Sequence, residues 1–227
     1  MNVTAAKIGS APLTADWGPL ASVPQGQGPT ARRHQPDPTA LHEAWERLKA
    51  RFTSGEIGFY NAPSTEALCQ AGPSQALAKK ILENEALTDV LFLGIGGSAL
   101  GPITVLSALR SKVRRRPGFH FVENPDAEDW RHTLRDLKPE HTLVISVTKS
   151  GTTFETLAQT LLALEWLGKD RWQKQFVGIT DPQKGELRAF CREQNLPVLD
   201  IAPSLGGRFS VFSPVGLLPM ALAGLSI

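Results

Sequence analysis

The sequence predicts an α/β fold. It is a three-layer sandwich with a five-stranded parallel sheet, Rossmann-like, preceded by N-terminal helices. Three features of the chain predict it. Short apolar runs over 90–93, 119–122, 142–146, 176–179 and 196–199 have the length of buried strands. Stretches with helical spacing separate them, over 99–110, 127–136, 153–167 and 184–193. The first run leads through glycines into a helical pattern, VLFLGIGGSALG over 90–101. Strands alternating with helices imply parallel pairing with helices on both faces. Ligands of such sheets sit beyond the carboxyl ends of the strands, where the strand order reverses.

Residues 1–38 are rich in Pro, Gly, Ala, Ser and Thr without clear periodicity and read as a flexible tail or linker, mobile over 25–38. Residues 39–88 read as N-terminal helices packing on the sheet. Thr39 is placed to cap a helix over 40–52, with Leu41, Ala44, Trp45, Leu48 and Phe52 on one face. A loop follows over 52–63, then a helix over 65–71 stopped by Gly72-Pro73, then one over 74–84. In the helix over 153–167, Phe154, Leu157, Ala158, Leu161 and Leu164 form the expected inner side, and Gly168 ends it. After 214, Leu217, Leu218, Met220, Leu222 and Leu225 fit an apolar helix interrupted near Pro219 and expected to leave an apolar patch.

Composition narrows the function. The chain has 227 residues, 41% of them apolar, and a net charge of +2, which favours no polyanionic partner. The basic cluster Arg110, Lys112, Arg114, Arg115 and Arg116 stands before Pro117, where cations suit a helix end. Cys69 and Cys191 have no cysteine or histidine at ligand spacing, so no metal site and no disulfide framework is expected. No signal peptide or apolar span stands out. The expectation is a cytoplasmic protein that binds neither nucleic acid nor membrane.

Three stretches carry chemistry. Gly94, Gly96 and Gly97, with Ser98 behind them, place free backbone N–H groups and a helix start where an anion can approach. This stretch also fits the dinucleotide fingerprint G-x-G-x-x-G/A, with Glu123 as the acidic partner. The second stretch, SVTKSGTTFET over 146–156, crowds Thr148, Ser150, Thr152 and Thr153 around a glycine and Lys149. Thr152 and Glu155 fit a capping box, whereas Thr148, Ser150 and Thr153 are left as phosphate donors. A dinucleotide needs no such nest after the third strand. A sugar phosphate held between two strand ends would use both turns. The third stretch, LGGRFSVFSPVG over 205–216, lets backbone approach a ligand while Arg208 grips an oxyanion.

GIGGSALGP, SVTKSGTTFET and LGGRFSVFSPVG, in this order and spacing, resemble the successive motifs of the glucose-6-phosphate isomerase (phosphoglucose isomerase) family over about residues 40–227. The resemblance implies two sugar-isomerase (SIS) domains, of which residues 89–227 match the first, truncated at its C-terminal end. It implies that Gly97 and Ser98 contact the substrate. It also implies that Thr148, Lys149, Ser150 and Thr153 line the phosphate pocket, and that Arg208 stabilises an enediolate. The implied reaction converts glucose 6-phosphate to fructose 6-phosphate, in glycolysis and gluconeogenesis. It uses no cofactor, and the complete enzyme is a homodimer. The family's glutamate base, ring-opening histidine and late lysine belong beyond Ile227, so these 227 residues alone are expected to be inactive. Glu123 and Glu155 are the nearest carboxylates, and neither is assigned as the base. The alternatives are a non-catalytic SIS module sensing a sugar phosphate and, behind it, an NAD-dependent oxidoreductase.

Overall fold

A computed structural model describes residues 3–8, 11–15, 37–112 and 117–227. The chain divides into two compact units, Met1–Ala44 and Trp45–Ile227. In the first, β1 (Val3–Ile8) pairs antiparallel with β2 (Ala11–Ala15), and the register shifts between Ala5 and Lys7. This hairpin lies inside the stretch read as tail or linker. Most of 25–38 and Arg114, Arg115 and Arg116 lie outside the described residues.

Helix α1 (Pro38–Thr53) begins with proline at its first position, where no N–H is needed. Its cap is Asp37 rather than Thr39: the Thr39 N–H donates to Asp37 Oδ1 at 3.0 Å. The helix buries no residue, so Leu41, Ala44 and Trp45 stay exposed where an inward face was expected. Only Leu48 and Phe52 are half-buried, with Phe52 stacked on Tyr60 at 4.5 Å between ring centroids.

The expected loop over 52–63 contains α2 (Gly58–Asn61) and a 3-10 turn, Ala62–Ser64. Then come α3 (Glu66–Cys69) and α4 (Ala71–Leu82). Gly72-Pro73 does not stop a helix; it lies in the first turn of α4, where proline is tolerated. The break falls earlier, at left-handed Gln70, and Glu66 Oε1 accepts the Gly72 N–H at 2.8 Å.

From there strands and helices alternate. The elements are β3 (Asp89–Leu93), α5 (Gly97–Ala108), β4 (Gly118–Val122), α6 (Ala127–Arg135), β5 (Thr142–Thr148) and α7 (Phe154–Leu167). They continue with α8 (Trp172–Gln175), β6 (Phe176–Thr180), α9 (Glu186–Glu193) and β7 (Val198–Asp200). A 3-10 segment, Gly207–Phe212, and α10 (Pro214–Leu222) follow.

The five strands β3 to β7 form one all-parallel sheet in the order β4-β3-β5-β6-β7, as the alternation predicts. Chain order runs outward in both directions from β3, so the reversal lies between β3 and β5. Strand residues alternate between two cores. Val90, Phe92, Ile145, Val147 and Ile179 meet α4 and α10 through Ala78, Ile81 and Leu218. Leu91, Leu93 and Val144 meet α7 and α9 through Leu164, Leu167 and Leu187.

Two helices depart from their expected packing. Helix α10 runs through Pro219 unbroken and is almost wholly buried against α4 and α5, so the expected apolar patch is absent there. Helix α7 turns Thr156, Gln159, Thr160, Ala163, Leu164 and Leu167 inward, while Phe154 is 79% and Leu161 65% exposed. Ser146 and Thr148 face this side of the sheet, and Ser146 Oγ meets Thr160 Oγ1 at 2.7 Å. Thr160 is thus partnered, whereas the buried Thr156 hydroxyl and Gln159 side-chain amide find no hydrogen-bond partner among the described residues.

Candidate functional site

Strands β3 and β5 are neighbours in register, Leu93 beside Ser146, and both end on the same edge of the sheet. The glycine turn and the hydroxyl turn therefore open side by side, at the reversal of strand order where open α/β sheets hold ligands.

In the first turn Gly96 takes φ +57°, ψ −117°, a conformation that favours glycine, and α5 starts directly after it. Gly97 owes its lack of a side chain to another part of the chain. A Cβ there would lie 2.4 Å from the Gly207 carbonyl oxygen and 2.7 Å from the Arg208 nitrogen. Ser210 Oγ donates to the Gly207 carbonyl at 2.7 Å and to the Gly97 carbonyl at 3.4 Å. The LGGRFS loop thus sits on the start of α5. Ser98 is half-buried beside Gly94.

In the second turn Thr148 is buried. Its hydroxyl donates to Thr153 Oγ1 at 2.9 Å, and its carbonyl accepts from Gly151 N at 3.1 Å and Thr180 Oγ1 at 2.7 Å. Gly151 takes φ +73°. Ser150 is exposed, and its Oγ accepts from the Thr152 N–H at 3.2 Å and from Thr152 Oγ1 at 3.0 Å. The expected Thr152–Glu155 capping box is not formed. Helix α7 begins at Phe154, which puts Thr153 in the cap position, and Thr153 makes no side-chain cap bond. The first N–H groups of this 14-residue helix carry the positive end of its dipole.

Lys149 Nζ donates to the Pro203 carbonyl at 3.2 Å, tying the hydroxyl turn to the chain just before LGGRFS. Arg208 is exposed and makes no ion pair among the described residues. Its guanidinium carbon lies 5.6 Å from the centroid of the Phe209 ring, which stacks on Phe59 at 4.3 Å. Six of the seven sequence-predicted residues, Gly97, Ser98, Thr148, Lys149, Ser150 and Thr153, thus belong to two adjacent turns. The backbone at Arg208 joins them through the Gly97–Gly207 contact, while its guanidinium lies by Phe209.

Sequence reasoning missed Thr180 and the turn at Gly185. The signal was available in TDPQKG over 180–185, a polar glycine turn leaving the strand next to β5. Cys191 is no nucleophile: burial pushes its thiol up to about 11. Among the described residues no group of three or more His, Cys, Asp or Glu is placed to hold a metal ion.

An open parallel sheet flanked by helices, with a hydroxyl-rich turn at its strand-order reversal, puts this domain in the α/β sandwich class. A solved structure of a hypothetical protein from Thermus thermophilus superposes with a TM-score of 0.72 at 36% identity, over 83% of this chain and 45% of that one. The tagatose-6-phosphate ketose/aldose isomerase of Escherichia coli shares the fold alone, with a TM-score of 0.53 at 18% identity over 76% of this chain and 47% of that one. The family model for phosphoglucose isomerase matches residues 75–225. A glucose-6-phosphate isomerase of Thermus thermophilus is 40% identical over 201 residues, 85% of this chain and 45% of that protein. The chain belongs to the phosphoglucose isomerase family. It spans less than half the length of the curated relatives it matches.

Proposed function

We propose that the chain is the sugar-phosphate-binding part of a glucose-6-phosphate isomerase. The observation that carries this is the meeting of the two turns at the strand-order reversal, with the LGGRFS loop packed onto the first. Ser150, Thr153 and the N–H groups at the start of α7 take the phosphate, with Thr148 positioning the Thr153 hydroxyl. Ser98 and the backbone at Gly97 face the sugar. Hydrogen bonds to a charged phosphate each contribute about 1.5–3 kcal/mol, enough together for firm binding.

Moving a proton between C2 and C1 forms a negatively charged enediolate. Arg208 stabilises that charge electrostatically. It cannot take the carbon proton, because a guanidinium stays protonated. A base contributes about 10²–10⁴-fold, and we assign it to the part of the relatives that this chain does not span. The 227 residues alone therefore bind substrate without turning it over. Among the described residues no helix is long and apolar enough to cross a membrane. The complete enzyme, in this reading, is a cytoplasmic homodimer working without a cofactor.

Titration calorimetry of the full chain with glucose 6-phosphate, fructose 6-phosphate and NAD tests the reading. Binding of both sugar phosphates and not of NAD is expected, together with no fructose 6-phosphate formation in a coupled assay. Binding of NAD alone overturns it, and turnover by the chain alone places a base within it.

A further inference from the structure

Behind the hydroxyl turn stands a second structure to which neither motif nor family match assigns a role. The connection from β6 to α9, residues 181–185, presses against the turn from the side away from β3. Gly185 adopts φ +95°, ψ 154°, a region essentially restricted to glycine. A Cβ there would lie 2.5 Å from the Ser150 carbonyl oxygen and 2.6 Å from Gly151 Cα. A Cβ on Gly151 would in turn lie 2.8 Å from Gly185 Cα. Two left-handed glycines thus stand back to back. The Leu187 N–H donates to the Gly151 carbonyl at 3.1 Å, and Thr180 Oγ1 holds the Thr148 carbonyl at 2.7 Å.

The connection is itself held from below. Arg188 is buried, its Nε donates to the Asp181 carbonyl at 2.7 Å, and its guanidinium pairs with Asp200 at the end of β7. Asp181 Oδ1 accepts from the N–H groups of Gln183 at 2.9 Å and Lys184 at 3.1 Å. Arg192 donates to the Pro182 carbonyl at 2.8 Å. A buried arginine is costly to desolvate and is retained where it has partners to fix. Its partners here are the connection's first carbonyl and the neighbouring strand end.

We propose that Gly185 and Arg188 are positioning residues for the anion-binding turn. Arg188, through Asp181 and Asp200, fixes the height of the β6–α9 connection, and Gly185 passes that height to the Ser150–Gly151 backbone. This rests on the reading above that Ser150 and Thr153 hold the phosphate. A shift of about 1 Å in such donors can cost about a hundred-fold in function.

The test uses the full chain carrying Gly185→Ala, Asp200→Asn or Arg188→Lys. Two readouts are taken: affinity for glucose 6-phosphate by calorimetry, and amide hydrogen exchange in the ligand-free chain. Gly185→Ala is expected to weaken binding and to speed exchange over 148–154 by about ten-fold or more, with exchange in β3 and β4 unchanged. Asp200→Asn, which keeps an acceptor oxygen, is expected to move both readouts the same way by a few-fold. Arg188→Lys, which keeps the charge and loses the fork, is expected to fall between. If Gly185→Ala does not fold, Asp200→Asn decides. Wild-type affinity and wild-type exchange at 148–154 in a folded variant overturn the proposal. If the unmodified chain binds no glucose 6-phosphate, the phosphate reading falls, and the exchange data alone decide whether the clamp positions the turn.

Discussion

The two turns at the strand-order reversal are built from similar residues and used differently. The turn after β3 spends its glycine on the protein: Gly97 is pressed against the Gly207 carbonyl, and no side chain fits between. The turn after β5 keeps its polar groups outward: Ser150 is exposed and Thr153 half-buried, with no cap bond from either to α7. The first is a joint within the chain, beside the sugar-facing place proposed for Ser98, and the second is, in the proposed reading, the phosphate receptor. Glycines beside a helix start therefore do not by themselves mark where a ligand lies: Gly97 and Gly151 both back onto other backbone, at Gly207 and Gly185.

The largest expected effect on folding stability tests the joint. Gly97→Ala should destabilise the chain by about 1–3 kcal/mol, because the Cβ overlaps backbone atoms that no rotamer change can clear. The gain in helix propensity, at most about 1 kcal/mol, does not offset this. Denaturant melts measure it, and a melt equal to wild type would mean that the Gly97–Gly207 contact is loose.

The receptor is tested next. Ser150→Ala should weaken glucose 6-phosphate binding by about 1.5–3 kcal/mol and leave the melt unchanged. Thr153→Ala should weaken binding similarly and also cost about 1 kcal/mol of stability, since the buried Thr148 hydroxyl loses its acceptor. If Ser150→Ala shifts the melt as far as Gly97→Ala does, the division into joint and receptor is wrong. A smaller effect follows for Thr152→Ala. Its hydroxyl bonds only to exposed Ser150, so stability should change by less than about 0.5 kcal/mol, in contrast to the loss of a true helix cap.

The smallest effect is in acid. Hydrogen bonds from the Gln183 N–H, then the Lys184 N–H, outweigh burial and hold the Asp181 carboxyl below its ordinary value. Its folded pKa lies below its unfolded value near about 3.9, so its stabilisation is present above that value and is lost as pH falls through the folded one. Asp181→Asn should therefore lose less stability than wild type between about pH 4 and pH 2 in denaturant melts. Parallel pH profiles would remove the carboxylate from the account of the β6–α9 connection.

The sheet and the three motifs were legible in the sequence because both depend on local pattern. Apolar runs, glycine turns and hydroxyl clusters report their own neighbourhood. What was not legible depended on distant partners. Helix α7 shows Phe154 and Leu161 to solvent and turns Thr160 to meet Ser146 on the sheet, a partner that the helix's own spacing does not reveal. Helix α10 is buried because α4, more than a hundred residues earlier, covers it. Caps failed on a finer scale: helix starts lying one residue late at α7 and two residues early at α1 turned Thr152 from a cap into a neighbour of Ser150, and Thr39 into a donor to Asp37. The candidate site was read through its donors, while TDPQKG over 180–185 showed only a polar turn, because the partner of Gly185 is backbone on another element.

The contact between Gly97 and the LGGRFS loop has a temporal side. The hydrogen bond from Ser210 to the Gly97 carbonyl joins residues 113 positions apart. Contacts of such separation close late, since a long stretch of chain must be ordered before they form. As synthesis proceeds from the N-terminus, both turns are made before residue 207 exists. A growing chain thus carries both turns before it carries the LGGRFS loop that packs on the first. The joint closes only once Ser210 and the buried helix α10 behind it have been made.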